Sequence, residues 1–250
     1  MRVSRHLPMP PGGNGEGVEH PARAAPSLGL LKPAGTKDIA LTAILILQCV
    51  VMFVATPLAA VGETAWRYTI DLLVLVFALL VIVISRGRTA ACIGAVGAGC
   101  VLGSALVHIV NPSQATILLM HAAGAFGIAI CGYVIARAVF APGLVTVHRL
   151  LGAIVLYLTA ALAFGATYRL LWDLMPGTFA GVAADGGEVQ VFASMLYFSF
   201  VTLTSTGYGD ILPLHPIVRS VANLEGVIGQ LYPATLVAAL VTQHLESRRR

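Results

Sequence analysis

An all-α membrane protein with six spanning helices, and one re-entrant helix and loop between the fifth and the sixth, is the fold class this sequence predicts. Three observations predict it. Of the 250 residues, 58% are hydrophobic and only 10% charged, against roughly 25% charged in soluble domains, and the mean hydropathy is +0.88. The apolar residues gather into runs near the ~20 residues that cross about 30 Å of hydrocarbon as a helix. The basic residues lie overwhelmingly on one side of the chain that results.

The elements follow in order. Residues 1–38, with Pro8, Pro10 and Pro11 ahead of Gly12 and Gly13, predict a disordered cytoplasmic tail, and they lack the apolar stretch and cleavage site of a removable signal peptide. Spans at 39–60, 68–85, 89–110 and 115–141 make a four-helix block over 39–141. Within it, the spacing of Gly99 and Gly103 predicts close helix contact. Arg137 is a single arginine near the end of the fourth span, whereas voltage sensing needs several, since each charge yields only about 2.3 kcal/mol per 100 mV. The block therefore carries no voltage-sensor charges. A joint at Pro142 and Gly143 leads to a second block, 147–245, with spans at 147–174 and 216–243 and a basic tail at 246–250. The apolar run 191–203 is too short to cross and precedes a Gly-rich stretch, so it predicts a re-entrant helix. Cys49, Cys92, Cys100 and Cys131 all fall in spanning runs without metal-like spacing and are expected to be packing thiols.

Basic residues accumulate in cytoplasmic loops. Six crossings put both termini on one side. With the termini in the cytoplasm, twelve of the 15 Lys and Arg residues face inward, leaving Arg67, Arg169 and Arg219 outside. The net charge of +4 is thus a matter of topology and gives no sign of nucleic acid. Glu63, Asp71, Asp173, Asp185, Glu188 and Asp210 fall at or near the outer side, either as a ring that concentrates cations or as ordinary solvated loop positions.

The loop after the re-entrant run reads Thr-Leu-Thr-Ser-Thr-Gly-Tyr-Gly-Asp over 202–210. A strand whose carbonyls all point to one side must alternate in handedness, and left-handed residues come cheaply only as glycine. Gly207 and Gly209 have that spacing. Rings of such carbonyls replace the hydration shell of a potassium ion.

From about residue 147 to 245 the chain resembles the pore module of tetrameric potassium channels: an outer helix, a pore helix, a filter of this pattern and an inner helix. The resemblance implies that Thr202 and Ser205 take the two hydroxyl positions, that Thr206, Gly207, Tyr208 and Gly209 supply the carbonyl ladder, and that Asp210 follows outside. Ser205 stands where threonine is usual, keeping the oxygen but losing the methyl that limits its rotamers. Thr206 stands where Val or Ile is usual. One loop per chain supplies a quarter of a ring, so a homotetramer in the bilayer is implied.

Other residues are candidates for moving parts. Gly229 falls where similar channels place an inner-helix hinge, and it is alternatively a packing glycine. Gln230, Pro233 or Ala234, Val237 and Val241 share a helical stripe with it, and the two valines are candidates for an apolar constriction that gates by dewetting. Glu225 is an acid well inside a span, a costly placement that points either to gating or to a static brace. Tyr197 and Phe198 put two aromatics on the pore helix, with the filter strand and the next subunit as expected neighbours. His108, His121 and Asp71 lie near the outer helix ends, the histidines joined by the turn 111–114; they form a candidate proton or metal sensor, or are separately satisfied. Arg169 and Asp173, four apart, predict a local pair.

The function expected is passive, potassium-selective conduction through a fourfold pore in the cell membrane, with no catalysis and no cofactor beyond K+ at the filter carbonyls. A weakly selective cation channel is the first alternative. A secondary transporter or membrane sensor is another, although paired broken helices and inverted repeats are missing. A hydrolase using Ser104 with His108 or His121 lacks an oxyanion-hole motif.

Overall fold

The computed structural model describes residues 36–61, 88–140, 147–183 and 187–249, and they are built mostly of helices. Helix α1 (Thr36–Val50) continues through a π turn (Val51–Ala55) into α2 (Thr56–Ala60). Pro57 explains the widened turn: proline has no N–H to give the carbonyl four residues back, so the ladder must re-form around it. The Thr56 hydroxyl donates to the Val51 carbonyl at 2.7 Å within that turn. Helix α3 (Arg88–Val110) leads to α4 (Gln114–Val139). Ser113 caps α4, its hydroxyl accepting from the Thr116 N–H while Thr116 accepts from the Ser113 N–H. This reciprocal capping bond sets where α4 starts.

Helix α5 (Val147–Leu174) packs on three sides. Toward α1 and α4 it buries Val155 against Ile44, Cys131, Val134 and Ile135. Toward the π turn and α6 (Glu188–Leu203) it buries Ala161 and Leu162 against Met52, Leu196 and Leu203. At its far end Tyr168 sits among Phe179, Val191, Met195, Phe198, Ile211 and Val218. Small residues make the α5–α6 crossing close: a Cβ at Gly165 would lie 3.1 Å from the Leu196 Cα. A two-stranded antiparallel ribbon, β1 (Phe179–Ala180) with β2 (Leu212–Pro213), ties the loop before α6 to the loop after the Gly-rich stretch. Helix α7 (Pro216–Arg249) closes the described chain, with Pro233 in its interior.

Three described helices are long and apolar enough to cross a membrane, over Leu41–Leu58, Gln114–Arg137 and Leu150–Leu174. The chain is therefore a membrane protein, and the expected spans at 39–60, 115–141 and 147–174 have helices in their places. The expected third span coincides with α3. The expected sixth coincides with α7, which runs on through the basic tail to Arg249. The span expected at 68–85, Asp71, the joint at 142–143 and most of the tail 1–38 lie outside the described residues.

The contact between α3 and α4 differs from expectation. It runs through Gly97, whose Cβ would meet Ile130 at 3.3 Å, and Gly127, whose Cβ would meet Val101 at 2.9 Å, while Gly99 and Gly103 face open space. Residues 97, 101 and 104 share one helix face, and 99 and 103 lie away from it. The four cysteines are free thiols, with Cys131 buried.

Candidate functional site

Helix α6 ends at Leu203 and the chain turns at once into the Gly-rich loop. The loop's N–H groups turn back to the last carbonyls of α6: Ser205 to Thr202 at 3.0 Å, and Thr206 and Gly207 to Val201 at 2.9 and 3.3 Å. These bonds satisfy carbonyls that a helix end leaves open. Beyond them, positive φ recurs at every second residue, 55° at Ser205, 62° at Gly207 and 77° at Gly209. Alternation of this kind turns successive carbonyls to the same side. Two of the three positions are glycines, which adopt it freely. Ser205 is not, and among the described residues it alone has positive φ without being glycine.

The hydroxyls of the loop are engaged. Thr204 donates to the Phe200 carbonyl at 2.7 Å, and its oxygen lies 2.7 Å from the Thr206 hydroxyl. With the Thr204 proton committed, Thr206 donates to Thr204, so the polar residue in an apolar slot has its partner. Gln230 on α7 donates from Nε2 to Ser205 Oγ at 2.6 Å. Tyr208 stacks on Tyr197 of α6, ring centroids 6.4 Å apart and planes within 1°. Phe198 departs from its expected neighbours, the filter strand and the next subunit: it is buried against Tyr168 and Phe179, at 5.0 and 5.3 Å, because adjacent helix positions point about 100° apart.

Three supports fix this loop from behind. At the Asp210 end, Gly181 (φ 83°) has no room for a side chain, since a Cβ would overlap the Asp210 carbonyl and lie 3.2 Å from the Ile211 Cα. Leu214 N–H donates to Thr178 at 2.7 Å and Arg219 Nε to Pro213 at 2.9 Å, holding the ribbon. In the middle, Glu225 is fully buried and accepts from the Tyr168 hydroxyl at 2.7 Å, while Ser199 Oγ lies 2.5 Å from its other oxygen and 2.8 Å from the Ala161 carbonyl. This acid ties α7 to α5 and α6 together. At the Ser205 end, Tyr157 donates to the Leu203 carbonyl at 3.2 Å, and a Cβ at Gly229 would overlap that same carbonyl, 2.7 Å from its carbon. Gly229 thus has a packing duty. A cavity of about 260 Å³ lies beside the loop, lined among others by Thr202, Gly209, Asp210 and Asn223.

The other expected site residues separate. His108 lies 3.0 Å from Thr116, and His121 lies 2.5 Å from Asp173, which also pairs with Arg169. The histidines therefore have separate partners, and Asp173 joins α4 to α5. Ser104 donates to the Val101 carbonyl at 2.9 Å. Pro233 and Val237 lie on the exposed face of α7, which also presents Leu224, Val227 and Leu231, each more than half exposed in the single chain. The side chain of Val241 lies outside the described residues. Sequence reading missed Gly181, Ser199, Tyr168 and Tyr157, whose partners lie 26 to 57 residues away or, for Gly181, across the ribbon. Glycine in a polar loop was the single cue available for any of them.

Residues 153–245 match a family whose description is ion channel. Two pore potassium channel c of Oryza sativa subsp. japonica is 34% identical over 91 residues, 36% of this chain and 19% of the rice protein. Protein LctB of Bacillus caldotenax is 32% identical over 87 residues, and that of Geobacillus stearothermophilus 33% over 87 residues; each match covers 34% of this chain and 64% of the relative. The chain thus spans less than two thirds of the length of each of these relatives. No solved structure matches it. Residues 153–245 hold the loop and the helices that brace it, so the match to the ion channel family falls on the described site.

Proposed function

We propose that the chain is a potassium-selective channel, conducting K+ passively through a fourfold pore whose filter is residues 202–210. The observation that carries this reading is the alternation of positive φ at Ser205, Gly207 and Gly209, which lines up carbonyls as a ladder for a dehydrated cation. The name of the rice channel supports potassium as the ion, and the family's description supports ion conduction. Four copies close the ring, and the exposed apolar face of α7 supplies a surface for neighbours.

In this reading α5 is the outer helix, α6 the re-entrant pore helix and α7 the inner helix of a pore domain at 147–245, preceded by four spans and with both termini in the cytoplasm of a cell-membrane protein. An inner helix facing a water-filled cavity tolerates Asn223 and Gln230, since polar residues in membranes gather at such cavities. Thr202, Ser205, Thr206, Gly207, Tyr208, Gly209 and Asp210 form the ion path. Bending belongs at Pro233, where the helix interior lacks a hydrogen bond, with Val237 and Val241 as the constriction. Gly229 and Glu225 hold α7 in place. His108 and His121, each with its own partner, serve helix ends rather than a joint sensor. Conduction needs no cofactor.

The test is potassium uptake by proteoliposomes of the purified chain. The reading expects uptake that Gly209→Ala abolishes, because alanine does not readily adopt φ 77°. Equal uptake by the variant would overturn it. The second reading, a weakly selective cation channel, is favoured by Ser205 and Thr206, and equal sodium and potassium uptake would establish it.

A further inference from the structure

We propose that Gln230 is a selectivity-determining residue: its carboxamide fixes the Ser205 hydroxyl at the base of the filter. The inference rests on the pore reading above and adds a residue that the filter pattern does not contain. Serine lacks the second Cβ substituent that holds threonine to few rotamers, and Ser205 also sits at φ 55°, a backbone conformation unfavourable for residues other than glycine. A hydroxyl in that position needs an external restraint. The Gln230 Nε2 donor at 2.6 Å supplies one.

The reach of Gln230 is built into the fold. Glu225 is bonded to Tyr168 on α5 and contacts Ser199 on α6. One helical turn later, Gly229 lies against the Leu203 carbonyl with no space for a Cβ, and Tyr157 donates to that carbonyl from α5. Gln230 is the next residue. Helix α7 is therefore held against α5 and α6 at both ends of the turn that leads into Gln230, and the amide is placed by rigid neighbours.

The bond leaves Ser205 able to coordinate. Accepting from Gln230 uses one lone pair of Oγ, and a hydroxyl has two. The remaining lone pair faces the conduction path at a position set by the amide. In the fourfold ring, four such pairs hold the lowest oxygens apart. Unrestrained serines could rotate inward around a smaller ion, so the restraint works against sodium.

The experiment measures the potassium-to-sodium permeability ratio of the full chain in planar bilayers under bi-ionic conditions. Gln230→Met keeps length and volume without a donor, and it is expected to lower the ratio about fivefold, the factor one net hydrogen bond is worth. Gln230→Asn keeps the amide but falls a methylene short and is expected to do the same. Ser205→Thr added to Gln230→Met is expected to restore the ratio, because the threonine methyl limits rotation without help. In a Ser205→Ala background, Gln230→Met is expected to change nothing further. An unchanged ratio in Gln230→Met and Gln230→Asn would overturn the proposal, as would a loss that Ser205→Thr does not repair. A wild-type chain without potassium preference would instead overturn the pore reading itself.

Discussion

Replacing Gly229 with alanine separates a packing glycine from a hinge glycine. The new Cβ would sit 2.7 Å from the Leu203 carbonyl carbon and 3.1 Å from its Cα, overlapping the carbonyl oxygen, whereas real Cβ contacts essentially never fall under 3.0 Å. Backbone lies on both sides, so no side chain can swing away. Helix α7 must retreat from the end of α6. Overpacking of this kind costs about 1–3 kcal/mol, and with rigid backbone on both faces the upper end applies. Alanine returns up to ~1 kcal/mol of helix propensity. The net loss is about 2 kcal/mol per subunit, which in a chain of this size lowers Tm by roughly 4–8 °C. Gly226, one turn earlier, is the control: a Cβ there meets nothing within 4 Å, so Gly226→Ala is expected to hold or slightly raise Tm. The assay is a thermal-shift scan of both variants in detergent beside the wild type. A Gly229→Ala protein that melts with the wild type but opens differently would refute the packing account and restore the hinge.

Two further predictions concern the supports. Glu225→Gln is expected to stay within about 1 kcal/mol of the wild type, because the carboxamide accepts from Tyr168 and donates to Ser199, whereas Glu225→Ala leaves the buried Tyr168 hydroxyl unpaired and opens a cavity, costing about 3 kcal/mol or more; denaturant titration in detergent distinguishes them. Gly181→Ala combines φ 83° with overlap at the Asp210 carbonyl, so potassium conductance should fall while the far support at Gly229 and the melting of the helices change little; single-channel recording beside a thermal scan checks both halves.

The helices and the loop were largely legible in the sequence, and their mutual placement was not. Helix α5 begins and ends where the apolar run 147–174 does, because hydrocarbon thickness dictates length. Gly207 and Gly209 announced their left-handed conformations, since no other residue adopts them as readily. Ser205 at φ 55° could not be read that way, for a serine carries no such signal. Which face of a helix meets a neighbour was hidden where the helix is apolar all round, so Gly97 and Gly127 make the α3–α4 contact and Gly99 and Gly103 do not. Phe198 turned inward for the same reason. The Glu225 brace was half visible: an acid in a span demanded a partner, but nothing local in the sequence pointed to Tyr168, 57 positions away.

The central claim is that residues 202–210 form a potassium filter, and the reversal potential of the purified chain in bilayers tests it most directly. With sodium replacing potassium to hold ionic strength, the account predicts a reversal potential that moves about 59 mV for each tenfold change in the potassium gradient. A reversal potential that stays near zero because sodium carries current equally well would contradict it.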